Sequence, residues 1–421
     1  MSNPSVYLLK LESNVIVGDL TPIARILCRI PDNEKQNIGT QLLFALSDAG
    51  DVKATVHLIA SARRQGHLYA NKVRPVLNRF RQIAAQKDDI EVMTVAGQLA
   101  EENGRANEAI GWYERVVQKL AEGEGKDDTA QGENLDVVLH EKDPASQSVA
   151  IEKAYISLGR LLLKQEYKSE NERLKAEERA KEAYKVGAFK FDDPEAYHLL
   201  AEYEPVWTEK WLQYHSEAAA RGNVLSQYEI GRFYSLPSSF LDGSHPLLQR
   251  ITEYTTKADK QATFDEIWRE YNYTEDDVQD ILLFGDHAKR TFSTSLPASL
   301  RTERDRFTYA AEWLLVSAVG PWDFVTDKAS FQTYYFPALL RALTLVFREL
   351  PGPNQHSYLE TIYHMRNEIT QKFGKELKEH AMKKFPLEYE EILSVFEEFG
   401  EIIERGKPDQ STGWVPIPMI F

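Results

Sequence analysis

The chain has 421 residues, of which 43% are hydrophobic, 11% aromatic and 27% charged. That is ample for a packed interior and argues against general disorder. Acidic residues outnumber basic ones by 65 to 50, and the resulting net charge of −15 disfavours indiscriminate binding to nucleic acid or anionic lipid. A single cysteine, Cys28, excludes an internal disulfide and any multi-cysteine metal centre, and no run of about eighteen apolar residues marks a membrane span.

Residues 1–35 read as a lead-in followed by a capping helix. Residues 6–19 fit a short hairpin or an irregular segment. Thr21 and Pro22 then supply an N-cap and first helical position, with Ile23, Ile26, Leu27 and Ile30 on one stripe before Pro31 ends the helix. Cys28 lies near that stripe, where a buried inert thiol is expected. The mixed acids and bases of this region fit neither a signal peptide nor an acid-poor transit peptide. The expected compartment is therefore the cytoplasm, or the mitochondrial matrix if a presequence has been trimmed away.

From Gln36 the pattern becomes a series of helices divided by glycines. The first two are expected to end before Gly50 and Gly66, with Val52, Val56, Ile59 and Ala60 of the second facing inward. A third covers 70–86, where Pro75 marks the first turn or a kink. In the next pair Met93, Ala96, Gly97 and Ala100 precede an Asn103-Gly104 turn, and Ala109, Tyr113 and Val116 follow it. Gly97, Ala109 and Tyr113 stand at the spacings of the glycine, alanine and aromatic signature, so the pair resembles a tetratricopeptide repeat. The usual bulky aromatics are missing at Met93 and Ala100.

Residues 122–144 carry eight acidic residues against Lys126 and Lys142, and 122–149 is read as an acidic flexible insert. Helices resume with Tyr155, Leu158, Gly159 and Leu162, then with a charged helix over 170–186 bearing Ala176, Ala180, Ala183 and Tyr184. Gly159 and Ala180 lie 21 residues apart where Gly97 and Ala109 lie 12 apart, a surplus typical of Sel1-like variants.

Residues 194–234 show the period most plainly. Pro194 opens a helix with Tyr197, Leu200, Ala201 and Tyr203; Trp211, Tyr214, Ala218, Ala219 and Gly222 form a second; Ile230, Gly231 and Tyr234 begin a third that repeats the first. The spacing resembles the Sel1-like repeat, a longer relative of the tetratricopeptide repeat, and departs from it at His215 and Ser226, where that family has tyrosine and alanine. The resemblance implies an all-α, right-handed α-solenoid of helix hairpins that binds other proteins and has no chemistry of its own. The residues expected to pack the repeats are Gly97, Ala109, Tyr113, Gly159, Ala201, Ala218, Gly222, Gly231 and Tyr234.

Beyond this stretch 236–245 reads as a connecting loop, and further helices are expected at 246–258, 262–272 and 275–291. Residues 304–319, with Ala310, Ala311, Trp313, Leu314 and Ser317, look like another Sel1-type second helix. Long helices at 356–384 and 387–405 should cover the last repeat, and the proline-rich apolar tail should lie extended. The expected organisation is thus 1–35, repeats over 36–121, insert 122–149, repeats over 150–245, a helical region 246–405 and tail 406–421.

Two features suggest partners. Residues 52–87 hold eight basic residues, Arg63, Arg64, Lys72, Arg74, Arg79 and Arg81 among them, and no acidic one. They fit an RNA-contacting surface, a dock for the acidic insert, or compensation of neighbouring acidic helices. Stacking aromatics are sparse there, with Tyr69 and Phe80 alone. The tail, with Trp414 and Phe421, fits either a segment folded back on its own repeat or a linear motif for a partner. Enzymatic signatures are poor: Gly123 to Lys126 lacks the first glycine and the hydroxyl residue of a phosphate loop, and Glu360 with His364 lacks a third metal ligand. The expectation is a non-enzymatic scaffold, adaptor or assembly factor without cofactor or membrane insertion, binding protein partners on a concave surface. The alternatives are an RNA-associated factor in organellar gene expression and a permanent subunit of a larger complex.

Overall fold

The computed structural model describes residues 20–123, 153–253, 275–297 and 302–319, with isolated positions between 263 and 345. Among these residues there are fifteen α-helices and no strand, an all-α fold. The chain divides into two compact units, residues 1–196 and 197–421.

The first unit contains α1 (Leu20–Arg29), α2 (Asn33–Asp48), α3 (Val52–Arg64), α4 (Arg74–Gln86), α5 (Ile90–Glu102), α6 (Ala106–Glu122), α7 (Ala154–Lys164) and α8 (Glu170–Phe191). Each of α1 to α7 packs on the helix that follows it, and α2 on α4, α3 on α5 and α6 on α8 pack as well. Starts are chemically marked: the carboxylates of Asp32, Asp51 and Asp89 accept from backbone N–H groups in the first turns of α2, α3 and α5. Each such cap stabilises by about 1 kcal/mol. Pro75 sits in the first turn of α4 and kinks nothing. Leu46, Val56, Ile59, Val76, Phe80, Val92 and Val95 share one core.

The capping helix turns differently from its apolar stripe. Ile23 and Ile26 are exposed, whereas Thr21 and Ala24 are buried. Close approach of α2 explains the choice: a Cβ on Gly39 would lie 2.8 Å from the Ala24 carbonyl oxygen and 2.9 Å from Cys28 Sγ. Only the small face of α1 admits that approach. Burial pushes the Cys28 thiol pKa up, against a weaker opposing effect of Thr40.

Two antiparallel hairpins follow one rule. On α5, a Cβ at Gly97 would lie 2.6 Å from the Tyr113 ring of α6; on α7, a Cβ at Gly159 would run into the Tyr184 ring of α8. Both tyrosines are buried. A glycine on the first helix thus makes room for a ring on the second. In the latter pair the relation also runs backwards, Gly187 of α8 receiving the Tyr155 ring of α7. Tyr155 stacks on Phe191 at 5.9 Å and donates to buried Asp193 at 2.5 Å. Asp193 also pairs with Lys153 at 2.6 Å and accepts from Glu195 N at 2.9 Å.

The boundary between the units falls within α9 (Pro194–Ala201). The second unit continues with α10 (Glu209–Ala220), α11 (Val224–Tyr234), α12 (Ser238–Leu241), α13 (Pro246–Glu253), α14 (Glu275–Thr294) and α15 (Glu303–Val319). The expected loop at 236–245 thus contains the short helix α12, anchored by buried Phe240 and Leu241. Helix α11 packs on α10 before it and on α15, far along the chain. A Cβ on Gly231 would lie 2.6 Å from Leu314 Cγ; Ser317 Oγ donates to the Val224 carbonyl at 3.1 Å, and Tyr234 meets Tyr309 edge-on at 5.0 Å. These pairings run antiparallel, so α11 and α15 form a third glycine-centred pair, with Leu314 in place of the ring and residues 235–302 between its helices. Arg306 fastens the crossing point, donating to the Leu236 carbonyl and Ser238 Oγ and lying 4.3 Å over Phe292.

Trp207 anchors this unit. It is fully buried at φ 62°, and its carbonyl accepts from Thr291 Oγ1 at 2.8 Å. Arg232 of α11 pairs with Asp277 and Asp280 of α14, and with Glu229 at 3.1 Å, while Arg341 reaches Asp277 at 2.5 Å. Arg341, which interrupts an apolar run in the sequence, is buried against its own counter-ion.

Candidate partner-binding surface

The basic segment separates into cations that hold helices together and cations that face solvent. Arg63 of α3 pairs with Glu102 of α5 at 2.9 Å. Arg79 of α4 pairs with Asp48 at 2.6 Å and donates to Ser47 Oγ at 2.5 Å, next to the Ser47–Thr55 hydroxyl bond at 2.8 Å. Both arginines are fixed structural links, one of the roles the composition allowed. Arg64 is exposed in the last turn of α3, where a cation meets the negative helix end. Lys72, Arg74 and Arg81 are exposed and make no ion pair among the described residues.

Of those exposed cations, Arg81 lines a cleft of about 290 Å³ between α4, α5 and α6, and Arg74 lies two turns before it on the same helix. Leu77, Phe80 and Leu99 form a buried apolar floor, with Ala84 and Ala96 half-buried beside them. Tyr69, from the segment before α4, and Trp112, from α6, also line it. Tyr69 is 61% exposed although its hydroxyl donates to Asn103 Oδ1 at 3.2 Å, a bond that tethers the ring to the turn between α5 and α6. Asn103 is held in turn, its Nδ2 donating to the Leu99 carbonyl at 2.5 Å. Arg115 covers Trp112 at 4.9 Å.

The α6 wall is electrically compensated. Arg105 pairs with Glu108 at 2.7 Å, and Asp88 receives Arg115 at 2.7 Å and Lys119 at 3.0 Å. The hydrogen bond from Lys119, assisted by Arg115, holds the Asp88 carboxyl pKa below its usual value. Uncompensated positive charge therefore lies on the α4 side.

The repeat-packing residues fall into distinct roles. Gly97, Gly159 and Gly231 are helix contacts; Ala109, Tyr113, Ala201, Ala218 and Tyr234 are buried. Gly222 acts through its backbone instead, at φ 85° in the turn after α10, a conformation that glycine adopts without strain. Thr94 and Gln98, on the same helix as Gly97, are buried polar residues. Trp414 and Phe421, the acidic residues 124–149, Lys126 of the failed phosphate loop, the Glu360–His364 pair, the expected helices at 356–384 and 387–405, and most of 262–272 lie outside the described residues.

The two departures from the Sel1-like pattern meet each other. His215 Nδ1 and Ser226 Oγ are 3.0 Å apart, and His198 Nδ1 reaches the same oxygen at 3.1 Å. Serine beside imidazole invites a nucleophilic reading, but Ser226 is 0% exposed and His215 is packed edge-on against Trp211 at 4.3 Å. Burial lowers the His198 pKa to about 4 and holds that of His215 well below the imidazole norm, so both rings are neutral. The cluster is a satisfied polar core. Among the described residues, no group of three or more His, Cys, Asp or Glu is placed to hold a metal ion, and no helix is long and apolar enough to cross a membrane.

No family model matches the chain, and neither the curated proteins nor the solved structures compared with it contain a match.

Proposed function

We propose that the chain is a non-catalytic helical-repeat scaffold, an adaptor or assembly factor, whose tetratricopeptide and Sel1-like hairpins stack as a right-handed α-solenoid. The observation that supports this reading is the repeated hairpin rule: Gly97 beneath Tyr113, Gly159 beneath Tyr184 and Gly231 beneath Leu314. Stacked helix pairs leave continuous surfaces that bind extended segments or folded partners on a concave face. A permanent subunit of a larger complex would share this fold and differ in how long its partner stays.

The RNA reading draws on Lys72, Arg74 and Arg81, and it is weakened because Arg63 and Arg79 are already spent on Glu102 and Asp48. Titrating a labelled RNA pool with the purified chain separates the two. The scaffold reading expects no saturable binding at about 0.15 M salt; binding that is tight at low salt and falls steeply as salt rises would favour RNA.

A further inference from the structure

Resting on the scaffold reading, we propose that the cleft between α4, α5 and α6 is a docking site for a peptide carrying one large apolar side chain flanked by carboxylates. The cleft is too small for most drug-sized ligands, and its floor of Leu77 and Phe80 offers nothing polar to recognise. One leucine, phenylalanine or tryptophan side chain entering the cleft would meet Leu77, Phe80, Tyr69 and Trp112, the kind of desolvated setting in which an interface anchor contributes most.

Charge selects what flanks the anchor. Arg74 and Arg81 are seven residues apart on α4, so they share a face about 10 Å apart along the helix axis. On an extended peptide an anchor with carboxylates two residues to either side keeps all three side chains on one face, the carboxylates about 13 Å apart and so within reach of the two long arginine side chains, at about 3.3 Å per residue. Both arginines are exposed and make no ion pair among the described residues, whereas the cations of the α6 wall are matched by Glu108 and Asp88. One-sided charge suits a short acidic peptide better than a nucleic acid, whose backbone calls for cations along a continuous groove.

Selection of peptides from a random display library on the full chain tests this, followed by anisotropy titration of the enriched peptides. Enriched sequences should carry Leu, Phe or Trp flanked by Asp or Glu. The exposed double substitution Arg74→Glu/Arg81→Glu should weaken them by about tenfold or more. Ala85→Trp, which adds bulk to the cleft from an exposed position, should weaken them similarly while leaving the thermal melt unchanged. Enrichment of basic or neutral sequences, or affinity indifferent to both variants, overturns the site and leaves the scaffold reading standing. Binding of poly(U) that is lost in the same variants would overturn both.

Discussion

Gly159 and Gly111 differ in what an added methyl group would meet. At Gly159 it would enter the Tyr184 ring, so Gly159→Ala should cost about 1–3 kcal/mol through overpacking. At Gly111, inside α6, it would meet nothing within 4 Å. Gly111→Ala should therefore raise stability by about 0.5–1 kcal/mol, through better helix propensity and a less free unfolded chain. Urea unfolding of the two variants should move in opposite directions, and equal shifts would contradict the hairpin geometry. The histidines give a pH signature. Burial keeps His198 and His215 neutral in the fold, while the unfolded chain takes up protons below the ordinary value of 6.5. Their contribution is therefore complete above pH 6.5 and is lost as pH falls below it, toward about 4 for His198, at up to about 1.4 kcal/mol per pH unit for each ring. Replacing His215 by Tyr and Ser226 by Ala installs the residues of the Sel1-like pattern at both positions. Each single change should destabilise, and the double variant should recover part of the loss, with a coupling of about 0.5–3 kcal/mol. Strict additivity in the unfolding data would show that the two departures are independent.

At the scale of elements, legibility followed distance along the chain. Helices α2 to α8 and α10 could be read locally from glycine turns and apolar periods, helped at α2, α3, α5, α8 and α10 by aspartate, serine and threonine caps, whereas α11 starts at Val224 and ends at Tyr234 rather than beginning near Ile230. The hairpins α5–α6 and α7–α8 could be read because their signature residues lie on adjacent helices. Helix α15 was legible as a helix, but not as the partner of α11. No local pattern announces that the chain will leave at Tyr234 and return at Glu303. Trp207 was missed for a related reason: its buried, positive-φ conformation depends on Thr291 of a distant helix. Asp193 escaped notice because its partners, Tyr155 and Lys153, belong to another element. Pairing of α11 with α15 is testable by a double-mutant cycle. Gly231→Ala should lose about 1–3 kcal/mol by crowding Leu314, and Leu314→Ala about 2–5 kcal/mol by opening a cavity. Together they should cost less than their sum, since the added methyl enters the vacated space. A sum without coupling would place the two residues apart.

For the whole molecule, the physically informative asymmetry is that a chain of net −15 concentrates eight cations in residues 52–87. The candidate surface was thus half legible. Composition pointed to the segment, but which arginines bind neighbours and which remain available depends on tertiary placement of Asp48 and Glu102. The apolar floor was hidden as well, since Leu77, Phe80 and Leu99 read as ordinary core positions until the gap above them is seen. Affinity purification of the full chain from native extract, at low and high salt and with and without nuclease, tests the central claim most directly. The scaffold account predicts a protein partner that stays bound in high salt and is indifferent to nuclease. Loss of every partner on nuclease treatment would contradict it and make RNA the ligand.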